Sequence, residues 1–154
     1  MGTEIERKFL VRGEAWRQPA SSQTRFIQGY LSRDPARTVR VRLAGEQAFL
    51  TVKGASHGAT RAEFEYAIPR ADAQHMLKLC AGPLIDKIRH VSKFAGMVWE
   101  VDEFLGANAG LVVAEIELQS ESQPFERPAW LADEVTGDAR YFNAQLAVKP
   151  FQSW

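Results

Sequence analysis

The sequence has very little cysteine, no long apolar run and no excess of charge of either sign. Its one cysteine, Cys80, can form neither an internal disulfide nor a thiolate metal site, so we expect a small buried apolar side chain. No apolar run approaches the ~20 residues that a membrane-spanning helix needs. Lysine and arginine (19) balance aspartate and glutamate (19), so the totals give no reason to expect nucleic-acid or membrane binding. A site for a polyanion would require local segregation of charge.

Several common signatures of targeting and catalysis are also missing. The first residues lack the basic and apolar regions of a signal peptide, and Glu6 stands where N-myristoylation needs Ser or Thr, so we expect a cytoplasmic protein. Neither a phosphate loop of the GxxxxGK[ST] type nor a GxSxG nucleophile elbow occurs. The histidines His57, His75 and His90 share no ligand spacing, so we expect them in surface or supporting roles.

The dominant hydrophobic period is two, which is typical of half-buried β-strands separated by short turns. The predicted strands are Thr3–Val11, Thr24–Ser32, Thr38–Leu43, Ala48–Lys53, Arg61–Ile68, Leu84–Phe94, Met97–Phe104 and Leu111–Gln119. We also predict a helix from Asp72 to about Leu79 and one helical turn around Trp16. The part of the chain with Pro124, Pro128, Trp130 and Leu131 is predicted to form helical cover over a barrel end, followed by a short helical stretch from Arg140.

The strand count predicts a mainly β fold with peripheral helices. Eight strands with short connections favour an antiparallel closed β-barrel, and the chain length suits a single domain over residues 1–154.

Most predicted strands carry charges on one face and apolar residues on the other. A strand with one solvated face explains any of them singly. The signs, however, are sorted between strands, whereas solvated surfaces usually mix them. The acids are Glu4, Glu6, Glu63, Glu65, Glu100, Asp102, Glu115 and Glu117, and the bases are Lys8, Arg40, Arg42, Lys53, Lys87 and Arg89. The charges either cover a filled barrel or line its lumen, and periodicity alone does not decide between the two.

A charged lumen has a definite chemical meaning. Enclosed charges are costly unless they are paired, hydrated or bound to ions. A basic wall would bind phosphate oxygens through arginine forks and lysine point charges. An acidic wall would hold a hard cation such as Mg²⁺ or Mn²⁺, which can neutralise a phosphate chain and orient it for in-line attack.

The charged motifs also follow one another in a recognisable order. They are Glu4-Ile5-Glu6-Arg7-Lys8, Gln28-Gly29-Tyr30-Leu31, Val39-Arg40-Val41-Arg42, Thr51-Val52-Lys53, Glu63-Phe64-Glu65-Tyr66, Lys87-Ile88-Arg89, Trp99-Glu100-Val101-Asp102, Ala114-Glu115-Ile116-Glu117 and Asp138-Ala139-Arg140-Tyr141-Phe142-Asn143. In this order they resemble the motifs of the CYTH superfamily, the triphosphate tunnel metalloenzymes, and the first resembles its ExExK signature. The likeness covers nearly the whole chain.

The resemblance implies that the charges face inward, in an eight-stranded tunnel. It implies hydrolysis of inorganic triphosphate to pyrophosphate and phosphate, the usual activity of the short bacterial members. The implied ligands are Glu4, Glu6, Glu117 and Glu115 for a first divalent metal and Glu63, Glu65 and Asp102 for a second. The implied triphosphate-binding residues are Lys8, Arg40, Arg42, Lys53, Lys87 and Arg89.

Two residues are candidates for activating the attacking water. Tyr30, next to the Lys8 ammonium, could deprotonate or orient it. Lys87 could do so instead if neighbouring cations lower its pKa. The sequence does not decide between Tyr30 and Lys87.

Other functions remain open at this stage. Thiamine triphosphatase or class IV adenylyl cyclase activity would use the same phosphate site but need a surface for the organic group, for which Phe26 and Tyr30 are the candidates. A non-catalytic polyphosphate- or nucleotide-binding module would need the bases but not the paired carboxylates. An apolar-ligand barrel would need the Val, Ile and Phe faces inside. Trp99 is predicted outside the tunnel. An open barrel end, or an apolar outer strip such as the one around Trp99, could serve a homodimer.

Overall fold

In the part of the chain that the structure describes, nine strands form one continuous sheet that closes on itself. The structure is a computed structural model and describes residues 2–17 and 22–154. The strands are β1 (Thr3–Val11), β2 (Ser22–Ser32), β3 (Arg37–Ala44), β4 (Gln47–Gly54), β5 (Thr60–Ala67), β6 (Ile85–Phe94), β7 (Met97–Phe104), β8 (Val112–Glu117) and β9 (Leu131–Glu134). The helices are α1 (Arg70–Leu77) and α2 (Asn143–Leu146), and 3₁₀ turns are at Ala15–Arg17, Gly106–Asn108, Ala139–Tyr141 and Phe151–Ser153.

The predicted closed antiparallel barrel of eight strands is confirmed. The ring runs β1-β5-β4-β3-β2-β6-β7-β8 and returns to β1, with antiparallel neighbours throughout. Closure uses the first residues of β1, where Thr3 pairs with Ala62 and Ile5 with Thr60. The later part of β1 pairs with β9, which is an extra strand beyond the ring.

Two tight turns between neighbouring strands lie where the sequence predicts them. Gly45, with φ of 60°, connects β3 to β4. Ala95 and Gly96 connect β6 to β7 and both have positive φ (51° and 77°), as a type I′ hairpin turn requires.

The helix after β5 begins earlier than predicted. Its first residue is Arg70, and the Pro69 carbonyl accepts the first intrahelical hydrogen bond, from the Ala73 amide at 3.1 Å. Asp72 therefore lies in the first turn of α1 rather than at the cap, where its charge still complements the N-terminal end of the helix dipole. The predicted turn at Trp16 is present, but residues 18–21 of the predicted connection lie outside the described residues.

The prediction of helical cover around Pro124 and Pro128 is wrong. Residues 118–130 form no helix, and the next element is the strand β9. Proline has no backbone N–H and clashes within a helix interior, so two prolines four residues apart favour an extended path. The predicted short helical stretch after Arg140 is confirmed by the turn at Ala139–Tyr141 and by α2.

A large part of the apolar outer face of the barrel is covered by the chain itself. Trp99, which is fully buried, has ring contacts with Phe9, Phe125 and Trp130 at centroid distances of 5.8, 5.7 and 5.7 Å. The apolar strip predicted around Trp99 for a homodimer is therefore unavailable to a second copy, because residues 118–130 occupy it.

Two further apolar clusters cover other outer faces of the strands. One lies between α1 and strands β3 and β4, and the other packs α2 against β6, β7 and β8. Cys80 is half-buried rather than buried, and burial raises the pKa of its thiol. In the described residues, no helix has the length and apolar character needed to cross a membrane. With these apolar faces covered on the outside, the charged faces of the same strands are left to the lumen, whereas Phe64 and Tyr66 of β5 stay exposed outside.

Candidate active site

The charged faces of the eight ring strands surround a cavity of about 1300 Å³ inside the barrel. The lumen is therefore charged, as the resemblance implied. The predicted site residues that line it are Glu4, Glu6, Lys8, Tyr30, Arg40, Arg42, Lys53, Glu63, Glu65, Lys87, Arg89, Glu115 and Glu117. Asp102 lies behind this surface and is 1% exposed, whereas Glu65 and Glu117 are exposed.

Two arginines from β3 form one part of the basic wall. The Arg42 Nε donates to Gln28 Oε1 at 2.8 Å, and Arg40 Nη2 donates to Thr51 Oγ1 at 3.1 Å. The Arg40 Nε is buried and has no hydrogen-bond partner within the described residues. Burial, with the neighbouring charges of Arg40 and Arg89, lowers the pKa of Arg42 to about 9. This wall holds more positive charge than its own protein partners neutralise, so an anion would stabilise it.

Two cations from β6 share one buried carboxylate of β7. The Lys87 Nζ lies 2.7 Å from Asp102 Oδ2, and Arg89 Nε lies 2.8 Å from Asp102 Oδ1. Burial would raise the pKa of Asp102, but Arg89 and Lys87 hold it far below its ordinary value. Burial lowers the pKa of Lys87 to about 7; Asp102 opposes this shift, and Arg89 and Arg42 add to it. Asp102 is thus the shared counter-ion of Lys87 and Arg89.

The acidic wall comes from β1 and β8, which pair directly. Glu6 lies opposite Glu117 in the register. Burial, followed by the charges of Glu115 and Glu4, raises the pKa of Glu6 to about 8. Burial also raises the pKa of Glu4, although Lys53 Nζ at 3.4 Å opposes it. Burial and mutual repulsion raise the pKa of these carboxylates. The lysines near this wall therefore do not supply enough positive charge to balance its acids.

Ion pairs connect the two walls. Lys8 Nζ lies 3.5 Å from Glu115 Oε2, and Arg89 Nη2 lies 3.1 Å from Glu115 Oε1. Burial would raise the pKa of Glu115, but Lys8 and Arg89 lower it. Burial alone would lower the pKa of Lys8, yet Glu115 and Glu6 raise it. Glu115 is therefore an ionised bridge between acids and bases, unlike Glu6.

Known proteins resemble this chain over its full length. The CYTH domain family matches residues 2–149. The chain belongs to the CYTH family. A protein of Acetivibrio thermocellus named inorganic triphosphatase is 47% identical, with 100% of this chain and 99% of that protein covered. One of Nitrosomonas europaea with the same name is 36% identical, with 95% and 97% covered. A crystal structure of an inorganic triphosphatase superposes with a TM-score of 0.67 at 34% identity, covering 96% of each chain.

Membership of the CYTH family implies dependence on a divalent metal. The donor chemistry fits, because Glu4, Glu6 and Glu117 offer carboxylate oxygens on a wall that lacks positive charge. Within the part of the chain that the structure describes, no three His, Cys, Asp or Glu side chains come together as a ready ligand cage.

Three polar side chains that contact the predicted site residues were not among the predictions: Gln28, Thr51 and Asn143. Gln28 lies on the same face of β2 as Tyr30, and Thr51 lies on the same face of β4 as Lys53. The alternation of the strands could therefore have predicted that both face the lumen. Strand alternation could not indicate Asn143, because it comes from α2 rather than from a strand; its signal in the sequence was its place in the Asp138–Asn143 motif, to which no role was assigned. Its Oδ1 accepts hydrogen bonds from Lys87 Nζ at 2.9 Å and from Gln28 Nε2 at 3.2 Å.

Proposed function

We propose that the protein is a divalent-metal-dependent triphosphatase that hydrolyses inorganic triphosphate to pyrophosphate and phosphate. The observation that carries this proposal is the sorted lumen, in which a basic wall faces an acidic wall across one cavity. The names of the relatives at 47% and 36% identity support the substrate. We also propose that residues 1–154 form a single CYTH domain. A cytoplasmic location and a homodimer remain predictions from the sequence.

The basic wall is proposed to bind the triphosphate. Arginine forks suit the paired oxygens of phosphate groups, and lysines act as compact point charges. The unpartnered Arg40 Nε provides a donor that the described protein groups leave free. The proposed triphosphate-binding residues are Lys8, Arg40, Arg42, Lys53, Lys87 and Arg89.

The acidic wall is proposed to hold Mg²⁺ or Mn²⁺. Glu4, Glu6 and Glu117 would hold a first ion, while Glu63 and Glu65 at the neighbouring strand would contribute to a second. When bound, the metal would neutralise phosphate charge and favour in-line attack by water. Glu115 would contribute a carboxylate oxygen to the first ion because, unlike Asp102, it lines the cavity and its pairs are longer, 3.5 Å to Lys8 and 3.1 Å to Arg89.

Asp102 is proposed as a counter-ion rather than a metal ligand. Its two oxygens accept hydrogen bonds from Lys87 and Arg89, and it is fully enclosed behind the cavity surface. A carboxylate saturated by two cations has little capacity left for a metal. Its role would be to keep both cations in the lumen wall.

Tyr30 is proposed as the residue that orients the attacking water. Its hydroxyl accepts a hydrogen bond from Gln28 Nε2 at 3.3 Å, and it interacts electrostatically with Lys8. These contacts and the place of Tyr30 in the cavity wall put its hydroxyl where it can orient a water. Lys87 remains the other candidate for proton abstraction, because burial, with Arg89 and Arg42, lowers its pKa to about 7 while Asp102 and Asn143 accept its N–H donors.

The alternatives explain the lumen less well. An organic group needs an open aromatic platform, but the Phe26 ring is 8% exposed and has Arg42 and Arg89 at 4.4 and 4.9 Å from its centroid. A binding module without catalysis would not need the acidic wall. The geometry therefore favours the small inorganic substrate over thiamine triphosphate or cyclase chemistry.

A phosphate-release assay tests the proposal directly. Inorganic triphosphate, ATP and thiamine triphosphate are compared with Mg²⁺, with Mn²⁺ and with EDTA. We expect hydrolysis of inorganic triphosphate to be the fastest and to stop in EDTA. Absence of metal-dependent turnover for all three would refute the enzyme proposal, and cyclic AMP as a product would select the cyclase alternative.

A further inference from the structure

A carboxamide from outside the barrel sheet reaches into the basic wall. Asn143 is the first residue of α2, and its side chain lines the cavity. Its Oδ1 accepts from two lumen groups at once, the Lys87 ammonium and the Gln28 amide. This contact joins the C-terminal segment to strands β6 and β2, which lie next to each other in the ring.

The contact constrains the direction of the Lys87 ammonium. An ammonium has three N–H donors on a flexible four-carbon stem. Asp102 Oδ2 accepts one at 2.7 Å and Asn143 Oδ1 accepts another at 2.9 Å. Because the nitrogen is tetrahedral, two acceptors in fixed positions determine where its third N–H points. If Asp102 were the only acceptor, the ammonium could rotate about that one hydrogen bond. The third donor is then available to the cavity that Lys87 lines.

The same oxygen selects the orientation of the Gln28 amide. Gln28 is fully buried, and its Oε1 accepts from Arg42 Nε while its Nε2 donates to Asn143 Oδ1. In the flipped amide, Oε1 would face the Asn143 oxygen and the NH₂ group would face the Arg42 donor. Each of those contacts would be repulsive. Asn143 therefore acts on Arg42 through Gln28 as well as on Lys87 directly.

Docking of α2 does not depend on the Asn143 carboxamide. Tyr141, Leu146 and Ala147 are buried in an apolar cluster with Ile85 and Phe104. Burial of these side chains provides the driving force for docking. The hydrogen bonds of Asn143 can thus be removed while the segment stays in place.

We propose that Asn143 is a positioning residue, whose side-chain oxygen orients the Lys87 ammonium and the Gln28 amide for reaction with the triphosphate. This inference rests on the proposed triphosphatase activity for its kinetic consequence, but the geometry of Lys87 can be measured without substrate. Asn143 acts through its neighbours and needs no direct contact with the reacting phosphate.

The kinetic test compares Asn143→Leu, which removes the acceptor at similar size, with Asn143→Asp, which keeps an acceptor oxygen for both donors. We expect kcat of the leucine variant to fall about 10- to 100-fold with KM changed less than about threefold, as for an interaction that matters most in the transition state. The aspartate variant should recover kcat to within about fivefold. The matched control is Val148→Ala, an exposed site just after α2, which should leave both constants unchanged.

The substrate-free test follows the Nζ–H signals of Lys87 by nitrogen-15 NMR at acidic pH, with assignment by Lys87→Arg. Because the Lys87 ammonium is buried and has two acceptors, its protons should exchange slowly with solvent in the wild type. In Asn143→Leu this exchange should be about tenfold faster or more. Asn143→Asp should restore slow exchange. If the leucine side chain disturbs α2, Asn143→Ala replaces it in both tests.

The outcomes separate the two proposals. A wild type that does not hydrolyse triphosphate refutes the proposed function, and the exchange of Lys87 still decides the role of Asn143. Wild-type kcat and wild-type exchange in a folded Asn143→Leu or Asn143→Ala variant would overturn the positioning role. Equal impairment of the aspartate and leucine variants would overturn it too, because the shared acceptor would then be irrelevant.

Discussion

At the scale of single residues, the carboxylates of the lumen fall into two electrostatic groups. The pKa of Asp102 and of Glu115 is lowered by the cations around them, despite burial. The pKa of Glu4 and of Glu6 is raised, because burial and neighbouring acids outweigh the nearest lysines. Carboxylates of the first group already have protein counter-ions, whereas those of the second group need a cation.

The counter-ion role predicts the behaviour of Asp102→Asn. Removing this charge leaves Lys87 and Arg89 buried without their shared partner, so the free energy of unfolding should fall by about 3–5 kcal/mol. The apparent Mg²⁺ affinity should change by less than about threefold, whereas Glu6→Gln should weaken it at least about tenfold. Urea unfolding and Mg²⁺ titration measure the two quantities. A large loss of Mg²⁺ affinity in Asp102→Asn at unchanged stability would make Asp102 a metal ligand instead.

The water-orienting role predicts the kinetics of Tyr30→Phe. Loss of the hydroxyl should lower kcat by about 100-fold while KM stays within about threefold, since phosphate binding relies on the cations. Tyr66→Phe is the matched control, because Tyr66 is 60% exposed on the outside of β5. Steady-state assays on inorganic triphosphate give both constants. Wild-type kcat in Tyr30→Phe would exclude a part for the phenol in catalysis.

At the scale of secondary-structure elements, most strands have cover on their apolar side, which leaves their charged side to the lumen. β5 is the exception, because its outward Phe64 and Tyr66 are 46% and 60% exposed. α1, α2 and residues 118–130 provide this cover in three separate places. The cover over Trp99 is irregular because of its prolines, yet it packs aromatic rings at 5.7–5.8 Å with edge-to-face geometry. An extended segment can therefore replace a helix where the strands present large side chains to it.

The energetic weight of this segment predicts the effect of Trp130→Ala. Trp130 is 9% exposed and packs on Trp99, so its truncation should lower the free energy of unfolding by about 3–5 kcal/mol. Trp154→Ala is the control, with a smaller expected loss because that ring is 44% exposed. Urea denaturation followed by circular dichroism compares the two. Equal losses would mean that the cover over Trp99 carries little of the stability.

At the scale of the whole molecule, a net charge of zero conceals a strong internal separation of charge. Without metal, this charge separation lowers the free energy of unfolding, and the loss depends on pH. Among the carboxylates with a raised pKa, Glu6 has the largest effect, because its pKa rises from 4.5 to about 8 in the folded state. Between these values the folded state binds a proton that the unfolded state has released.

Metal-free protein should therefore lose stability as pH rises from about 5 to about 7. Because the native state binds more protons in this interval, the free energy of unfolding falls with pH, by about 1–2 kcal/mol after allowance for solvent in the lumen. Above about pH 7 the lowered pKa of Lys87 acts in the opposite direction, because the unfolded state then binds more protons. Urea unfolding in EDTA at a series of pH values measures the slope.

Glu6→Gln should flatten this slope and should reduce the stabilisation that Mg²⁺ produces at neutral pH. The control is Glu126→Gln, which changes an exposed carboxylate outside the cavity and should leave both properties unchanged. An unchanged slope in Glu6→Gln would show that the carboxyl of Glu6 is not the main group taking up protons.

Much of the fold and of the site could be predicted from the sequence. The alternation in Thr3–Val11 and in Val39–Arg42 identifies both the strands and their charged faces. The same reading failed at Pro124–Leu131, where no period indicates what a proline-rich segment packs on. Strand alternation also could not assign a role to Asn143, which the sequence marks only as the last residue of the Asp138–Asn143 motif. Its contacts are with Lys87 and Gln28, which lie 56 and 115 positions earlier in the chain.

The sequence by itself determined which side chains share a face and how the signs are sorted among strands, because alternation is a local property of an extended backbone. Only the tertiary structure decided that the charged face is the inner one, through the pairing of β5 with β1 that closes the ring. It also decided which acids are already neutralised. That distinction depends on distances between strands, such as Lys87 to Asp102, and the strength of a charge pair depends on distance and burial together.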